Sequence, residues 1–362
     1  MEIDAVIDWK DKIKALFAIS EEMGALHPEI LEIAYQKQWF KLFVPEVYGG
    51  AGMKLPEILR LEEELAELDG SLGWTVTLCA GAGWFAGFLD KQLAKEIFSD
   101  PKICFAGSGA VGGTAVETND GYIIDGFWKY ASGALHATIF TANCIIKTSS
   151  GEDLLDDEGK PLVKSFILFK DEVEIISGWS YFGLVATGSH AFKVERLLVP
   201  SNRTFVINDT IKIESEGFDY PFLQLAETTL AVNSLGMAIH FIALVEAQFK
   251  SRSGIGRYSE TQIAFFNVEL ERWKKEVEHR RTAFYKAFDA SWAELQSLKY
   301  ISEETRMAVS KNSRILAHRC REAADALFPY CGLAAAQSET EVNRVWRDLH
   351  TASQHALLTF ID

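Results

Sequence analysis

The chain has 362 residues, 48% of them hydrophobic, which is enough for two or three compact units with cores of their own. Its formal net charge of −15 at pH 7 would repel the phosphates of a nucleic acid or an anionic lipid surface, so neither is an expected partner. The five cysteines are scattered and never form a C-x-x-C pair, which argues against a disulfide framework and a zinc ribbon and for a reducing compartment.

The first predicted unit is helical and covers residues 1–100. Apolar residues recur there at helical spacing, and a proline with three glycines predicts a shaped loop at residues 43–52. The N-terminus has neither the continuous apolar segment nor the cleavage site of an export signal, so we expect a cytoplasmic protein. Residues 71–89 are weakly polar but contain several glycines, and we predict a buried helix there in preference to a membrane span.

The second predicted unit is a small antiparallel β-domain over residues 101–212. Its strands are predicted at residues 114–118, 121–128, 139–147, 163–169 and 191–199, because these segments are rich in β-branched and aromatic residues and are separated by turn signals. The acidic residues 149–160 are predicted to be a solvated loop. Residues 107–112 match the dinucleotide pattern G-x-G-x-x-G, but no crossover helix follows them, so a Rossmann site is not expected.

The third predicted unit, residues 213–362, is a four-helix bundle. Its amphipathic segments are predicted at residues 222–250, 260–293, 303–328 and 340–357. The expected fold class is therefore α+β and mostly α: an N-terminal helical domain, a middle β-domain and a C-terminal bundle.

Two histidines, His350 and His355, fall in the last predicted helix. Residues five apart on a helix point about 140° away from each other, so they do not form a two-ligand metal face. One of them can face a site while the other faces away, and the alternative for either is an ordinary packing histidine. The other histidines form no cluster with cysteine or aspartate at ligand spacings, so no metal site is predicted.

Several strings resemble the acyl-CoA dehydrogenase superfamily over nearly the whole chain. They are LFVPEVYGG at residues 42–50, ELAELDGSLGW at 64–74, DGYIIDG at 120–126 and RSGIGRYSETQ at 252–262. The resemblance implies a flavin, FAD or FMN, at the junction of the β-domain and the bundle, and a homotetramer.

The last of these strings is similar to the family's bundle segment whose Arg and Gln reach the flavin of a neighbouring subunit. By that resemblance Arg252 and Gln262 are candidates for cofactor binding, and a guanidinium suits a phosphate. The string is one residue shorter than the family's usual pattern, and the alternative is an exposed, polar start of a helix.

Two chemistries of this superfamily compete in the sequence. Dehydrogenases use a carboxylate base, and Glu339 occupies the place of the family's typical glutamate, so an acyl-CoA dehydrogenase is one alternative. The other interpretation of Glu339 is a solvated acid at the start of a helix, because residues 338–341 (SETE) resemble a capping segment.

Three further strings are more similar to the superfamily's flavin monooxygenases, which use reduced flavin and O₂ on small, often aromatic compounds. They are WKYASG at residues 128–133, GLVATGS at 183–189 and RDLHTASQH at 347–355. The resemblance implies that His355 stabilises the peroxide on flavin C4a and that Ser132 hydrogen-bonds near flavin N5. Trp128 and Trp84 are candidate walls of the flavin pocket, with plain core packing as the alternative.

We therefore expect a monooxygenase acting on a small-molecule substrate, with an acyl-CoA dehydrogenase as the first alternative. A separate flavin reductase or electron-transfer protein is a possible partner. The third interpretation, a non-catalytic flavin-binding scaffold, follows from the fact that a fold does not guarantee a chemistry.

Overall fold

A computed structural model describes residues 9–213 and 217–361. The first eight residues, which carry the start of the segment used to predict the absence of an export signal, lie outside the described residues. The order of helix, strand and helix confirms the predicted fold class.

Six α-helices lie in the N-terminal part of the chain from residue 9 onward. They are α1 (Trp9–Lys14), α2 (Phe17–Met23), α3 (Pro28–Gln36), α4 (Leu55–Leu68), α5 (Gly70–Gly83) and α6 (Lys91–Phe98). Asp69 caps α5 by accepting a hydrogen bond from the backbone N–H of Leu72 at 3.0 Å. Nearly all of α5 is buried, which confirms the buried helix predicted in this stretch.

A seven-stranded sheet follows, in the order β5, β6, β2, β1, β3, β4, β7. The strands are β1 (Phe105–Thr118), β2 (Gly121–Ala131), β3 (Ile139–Lys147), β4 (Val163–Phe169), β5 (Glu174–Ile176), β6 (His190–Val199) and β7 (Thr204–Phe205). A two-residue turn joins β1 to β2, as Asn119 and Asp120 predict, and the loop at residues 149–160 is largely exposed.

The prediction of a purely antiparallel domain is wrong in one respect, because β1 and β3 run parallel. The predicted start of β1 at residue 114 is also too late, since the strand begins at Phe105 and includes Gly107 and Gly112. Glycines have low strand propensity, but pairing of β1 with β2 and β3 holds them in the sheet. The G-x-G-x-x-G pattern is therefore strand, without the helix that a Rossmann site requires.

Within residues 217–361 the structure has three long α-helices and one short α-helix: α7 (Phe222–Gly254), α8 (Glu260–Leu298), α9 (Glu303–Leu327) and α10 (Glu341–Ala352). Helix α7 has the length and apolar composition of a membrane span, but 78% of its most apolar 18-residue window is buried inside the protein. It packs against α4, α9 and α10 and is thus the central helix of the core. Helix α10 ends at Ala352, earlier than predicted, so His355 lies beyond the helix.

Candidate functional site

A cavity of about 210 Å³ lies where α5 and α7 face the parallel strands β1 and β3. Apolar side chains supply much of its lining, including Leu78, Phe85, Phe222, Leu225 and Leu230. Ser132 and His355, two residues that the sequence singled out, both line it as well. Among the described residues, no carboxylate and no lysine or arginine lines the cavity.

Glycines shape the walls of this cavity. A Cβ at Gly107 would come within 1.9 Å of Thr141 Oγ1, so β1 and β3 meet too closely for a side chain there. A Cβ at Gly81 or Gly109 would meet no atom within 4 Å, because both backbones border open space. The lining is largely apolar and includes a few polar side chains, among them Ser132, Asn143 and His355, a composition that suits an isoalloxazine ring.

Ser132, in the turn after β2, is buried at one end of a chain of hydroxyl groups. Its Oγ lies 2.8 Å from Ser189 Oγ, which lies 2.7 Å from Thr187 Oγ1, and Thr187 donates to the Leu184 carbonyl at 2.7 Å. Because each hydroxyl has one proton, Ser189 must donate to Thr187 and Ser132 must donate to Ser189. The proton of Ser132 is thereby used, and its oxygen is left as an acceptor for a group in the cavity.

His355 precedes a short 3₁₀ turn at Ala356–Leu358 and borders the same cavity. Its Nδ1 accepts a hydrogen bond from the Leu357 N–H at 3.3 Å, which assigns the proton of the neutral ring to Nε2. Burial lowers the pKa of His355 below its ordinary value, so the ring is neutral at pH 7. The Nε2–H is then the donor that this ring can offer to a bound molecule.

Two of the three strings that are similar to monooxygenases, residues 183–189 and 347–355, contact each other. Leu184, in the first string, donates its backbone N–H to Oδ1 of Asp348, in the second string, at 2.5 Å. Burial, reinforced by the nearby Asp69, raises the pKa of Asp348 well above its usual range. This contact fixes Leu184, whose carbonyl ends the hydroxyl chain, against α10.

Glu339, the alternative catalytic base, does not reach the cavity. Its side chain is exposed two residues before α10, where Ser338 Oγ donates to it at 2.9 Å. Hydrogen bonds from its own backbone N–H and from Ser338 lower the pKa of its carboxyl. The structure therefore favours the interpretation of Glu339 as a solvated acid at the start of a helix.

Neither of the two tryptophans predicted to wall the flavin pocket lines the cavity. Trp128 is buried in the core of the β-domain, stacked on Phe192 at a centroid distance of 5.0 Å, with its Nε1 donating to the Asn143 carbonyl at 3.0 Å. Trp84 lies behind the cavity, packed on Phe222 at 5.5 Å. Both take the core role that was the alternative, because bulky rings fill the space between elements.

The remaining candidates lie away from this cavity. Arg252 donates to the Tyr330 carbonyl at 3.5 Å, and Gln262 shares a capping box with Ser259 at the start of α8. Neither lines the cavity of its own chain, so their predicted role toward a neighbouring subunit remains a prediction. His350 bonds to the Trp346 carbonyl at 2.7 Å and to Asp325 at 2.8 Å, and it faces away from His355.

Sequence reasoning missed several residues of the site. Ser189 and Thr187 lie within a string that was recognised, but nothing in the string indicates that their hydroxyls join Ser132. The glycines of β1 match a dinucleotide-binding pattern that lacks its helix, and nothing in that pattern indicates that they form one wall of the cavity. Phe85 and Phe222 carry no local signal, since their shared wall depends on the packing of α7 against the N-terminal helices.

Comparisons with known proteins agree with this geometry. Residues 228–360 match the family described as acyl-CoA dehydrogenase, C-terminal domain. The chain is 26% identical to an indole-3-acetate monooxygenase of Acinetobacter baumannii, over 88% of this chain and 80% of that protein. It is 25% identical to HsaA of Mycobacterium tuberculosis, the oxygenase subunit of a flavin-dependent monooxygenase, over 93% of this chain and 86% of HsaA.

Solved structures extend the similarity to the fold. The crystal structure of HsaA from M. tuberculosis superposes with a TM-score of 0.87 at 23% identity, covering 97% of this chain and 93% of HsaA. XiaF from a Streptomyces species, in complex with FADH₂ and glycerol, gives a TM-score of 0.83 at 21% identity, covering 96% and 90%. Domain order, motifs and these similarities agree: residues 228–360 match the C-terminal domain of acyl-CoA dehydrogenases, and most of the chain is similar to flavin-dependent monooxygenases.

Proposed function

We propose that this protein is the oxygenase component of a flavin-dependent monooxygenase, which uses reduced flavin and O₂ to oxygenate a small organic compound. One observation carries the proposal: Ser132 and His355 line a cavity in which the described residues place no carboxylate. Dehydrogenation of an acyl-CoA needs a carboxylate base beside the substrate, whereas oxygenation needs hydrogen-bonding groups and the exclusion of water.

Ser132 is oriented for the reduced form of the cofactor. Reduced flavin, when bound, supplies the electrons that activate O₂, and it carries an N–H at N5 that oxidised flavin lacks. Because the hydroxyl chain leaves Ser132 as an acceptor, this residue suits a donor N–H better than the acceptor nitrogen of the oxidised ring.

His355 supplies a complementary donor. Its neutral Nε2–H can hold a polar oxygen species beside the flavin, while the apolar side chains of the cavity keep water away. The resemblance to monooxygenases implied that His355 stabilises a peroxide and that Ser132 hydrogen-bonds near flavin N5. A donating His355 and an accepting Ser132 are compatible with both roles.

The substrate that fits this lining is small, apolar and uncharged in the part that enters the cavity. Phe85 and Phe222 offer aromatic faces, and no described lysine or arginine is present to pair with an anionic group. We therefore favour an aromatic ring as the reacting group, which is in line with the indole-3-acetate monooxygenase among its relatives.

Reduced flavin must reach the cavity from elsewhere if this chain acts as an oxygenase component. We propose that a separate flavin reductase supplies it, as the description of HsaA as an oxygenase subunit suggests for that relative. We also propose a cytoplasmic homotetramer in which Arg252 and Gln262 contact the flavin of a neighbouring subunit. Ile255 and Phe265, exposed apolar residues near both, give such an interface apolar surface to bury.

The test supplies the purified chain with chemically reduced FAD or FMN and ¹⁸O₂, together with a panel of phenols and indoles. We expect a product that contains one ¹⁸O atom, detected by mass spectrometry. In the His355→Ala variant, loss of one hydrogen bond to a polar oxygen species should lower the product per flavin oxidised by roughly tenfold or more and raise free H₂O₂.

Two other outcomes would contradict the proposal. Reduction of an artificial electron acceptor by an acyl-CoA, without oxygenation of any compound, would establish the dehydrogenase alternative. Flavin binding without turnover of either kind, even with a reductase present, would indicate a non-catalytic scaffold.

A further inference from the structure

Behind the turn that carries Ser132, three potential metal ligands meet from three separate parts of the chain. They are Cys79 of α5, Cys104 just before β1 and His136 of the turn after β2. The two Sγ atoms and one imidazole nitrogen all lie within 4.8 Å of one another. None of the three residues lines the cavity, so the proposed oxygenase chemistry does not use them.

The space between these ligands depends on Gly133. This residue has φ of +77°, and a Cβ there would lie 2.8 Å from Cys79 Sγ and 3.1 Å from His136 Nε2. A side chain at position 133 would therefore press into both ligands, and its backbone conformation disfavours L residues as well. The glycine keeps the place where the thiols and the imidazole meet free of other atoms.

The cluster is buried, and its thiols lie 3.6 and 3.9 Å from the backbone carbonyl oxygens to which they can donate, those of Ser132 and Phe105. Both cysteine side chains are fully buried, and His136 Nε2 is buried without a hydrogen-bond partner of normal geometry in the described part of the chain. An unpaired buried imidazole nitrogen costs stability, and a bound cation would remove that cost. Phe40 packs against the His136 ring at a centroid distance of 5.4 Å and holds it in place.

The charge balance suits a divalent cation. Two thiolates neutralise a 2+ ion, which permits the ion to lie in a dry interior, and thiolate with imidazole is the donor set that Zn²⁺ prefers.

We propose that Cys79, Cys104 and His136 form a three-ligand site for Zn²⁺ behind the wall of the cavity. The site ties α5 to the turn of residues 132–136, since Cys79 Sγ also lies 3.6 Å from the Ser132 carbonyl oxygen. Its function is to fix the position of Ser132. This inference goes beyond the proposed oxygenase activity, and metal binding can be tested without any turnover.

The experiment measures zinc in the full chain purified without chelator, and then titrates the chelator-treated protein with Co²⁺. We expect about one zinc per chain, and about one equivalent of Co²⁺ with the intense sulfur-to-cobalt charge-transfer absorption of thiolate ligation. Added Zn²⁺ should displace the cobalt. A wild-type chain that takes up neither ion would overturn the proposal, whatever its flavin chemistry.

Variants show which residues bind the metal ion. Cys79→Ala, Cys104→Ala and His136→Asn should each weaken Co²⁺ binding on the order of 100-fold or more, by loss of a ligand. Cys144→Ala and Cys320→Ala remove other buried thiols and should bind Co²⁺ like the wild type. Equal loss of Co²⁺ binding in these control variants would assign the ion to another place and contradict the proposal.

A measurement on the wild type covers the case in which a ligand variant does not fold. Zn²⁺ should protect Cys79 and Cys104, but not the other cysteines, from alkylation as followed by mass spectrometry. Formation of a disulfide between Cys79 and Cys104 under mild oxidant, with no protection by zinc, would instead establish a redox-active pair and reject the metal site.

Discussion

At the scale of single residues, the protonation state of His355 determines what it can do. Burial lowers its pKa below the ordinary value of about 6.5, so the ring is neutral above that pH. When the pH falls through the lowered pKa, Nδ1 must bind a proton and lose its hydrogen bond from Leu357. The donor role of Nε2–H would continue, but in a charged ring inside an apolar cavity.

We therefore expect the yield of product per O₂ consumed to fall on the acid side, with a midpoint below pH 6.5. Stability should fall in the same direction, because the unfolded chain binds the His355 proton more readily than the folded chain between the two pKa values. Both expectations are tested by measuring the product yield and the thermal midpoint of unfolding over about pH 5–8. The His355→Asn variant should lose the acid limb and His350→Asn, outside the cavity, should keep it.

The orientation of the Ser132 hydroxyl gives a second prediction at this scale. The Ser189→Ala substitution removes the hydroxyl group to which Ser132 donates. The Ser132 proton is then free to point into the cavity. The preference for reduced over oxidised flavin should then fall about fivefold, corresponding to one hydrogen bond of about 1 kcal/mol. Anaerobic titration with both redox forms measures it.

The control is Ser313→Ala, which removes a buried hydroxyl of α9 that bonds to the Val309 carbonyl far from the cavity. An unchanged ratio of the two affinities in Ser189→Ala would show that the hydroxyl chain does not orient Ser132. A loss of affinity for both redox forms alike would point to collapse of the turn.

At the scale of elements, α5 is both a core helix and a wall of the cavity. Gly81 lies inside this helix, and an alanine Cβ there would meet no neighbouring atom within 4 Å. Gly81→Ala should therefore stabilise the protein by about 0.5–1 kcal/mol through helix propensity, while the new methyl group enters the cavity and weakens flavin binding.

Ser297→Ala near the end of α8 is the control. Ser297 is exposed and does not line the cavity, so the substitution should raise helix propensity and leave flavin affinity unchanged. Thermal melting and flavin titration of both variants separate the two effects. If Gly81→Ala bound flavin as tightly as the wild type, the cofactor would have to lie elsewhere.

At the scale of the whole molecule, the central helix α7 buries a charge. Glu227 is fully buried, and its Oε1 accepts hydrogen bonds from Arg314 of α9 at 2.7 and 3.1 Å. Arg314→Met would leave this carboxylate without that cation and should destabilise the fold by about 3–5 kcal/mol. Glu227→Gln combined with Arg314→Met should recover part of the loss, because the double variant no longer leaves a carboxylate at position 227 without its cation.

Urea or thermal unfolding measures these differences in the free energy of unfolding. The exposed pair Lys160 and Glu158 serves as a control, and Lys160→Met should change stability by about 0.5 kcal/mol or less. If Arg314→Met lowered the free energy of unfolding as little as Lys160→Met does, water or another group would have to stabilise the Glu227 carboxylate.

The sequence by itself determined the order of the units, the hairpin turn after Thr118 and the burial of α5, because these follow from local periodicity and turn chemistry. Its resemblance to a known superfamily also indicated Ser132 and His355, and the structure brings them to one cavity. The motif strings could indicate Ser132 and His355 because each string contains its site residue at the local spacing of the family's motif.

The tertiary structure alone decided the other questions. It put Trp128 in a core and Glu339 in solvent, it paired β1 with β3 in parallel, and it brought Cys79, Cys104 and His136 together. Periodicity reports which face of an element is buried, but not which distant element covers it. Contacts between remote segments depend on how whole helices and strands pack, and no local pattern encodes that.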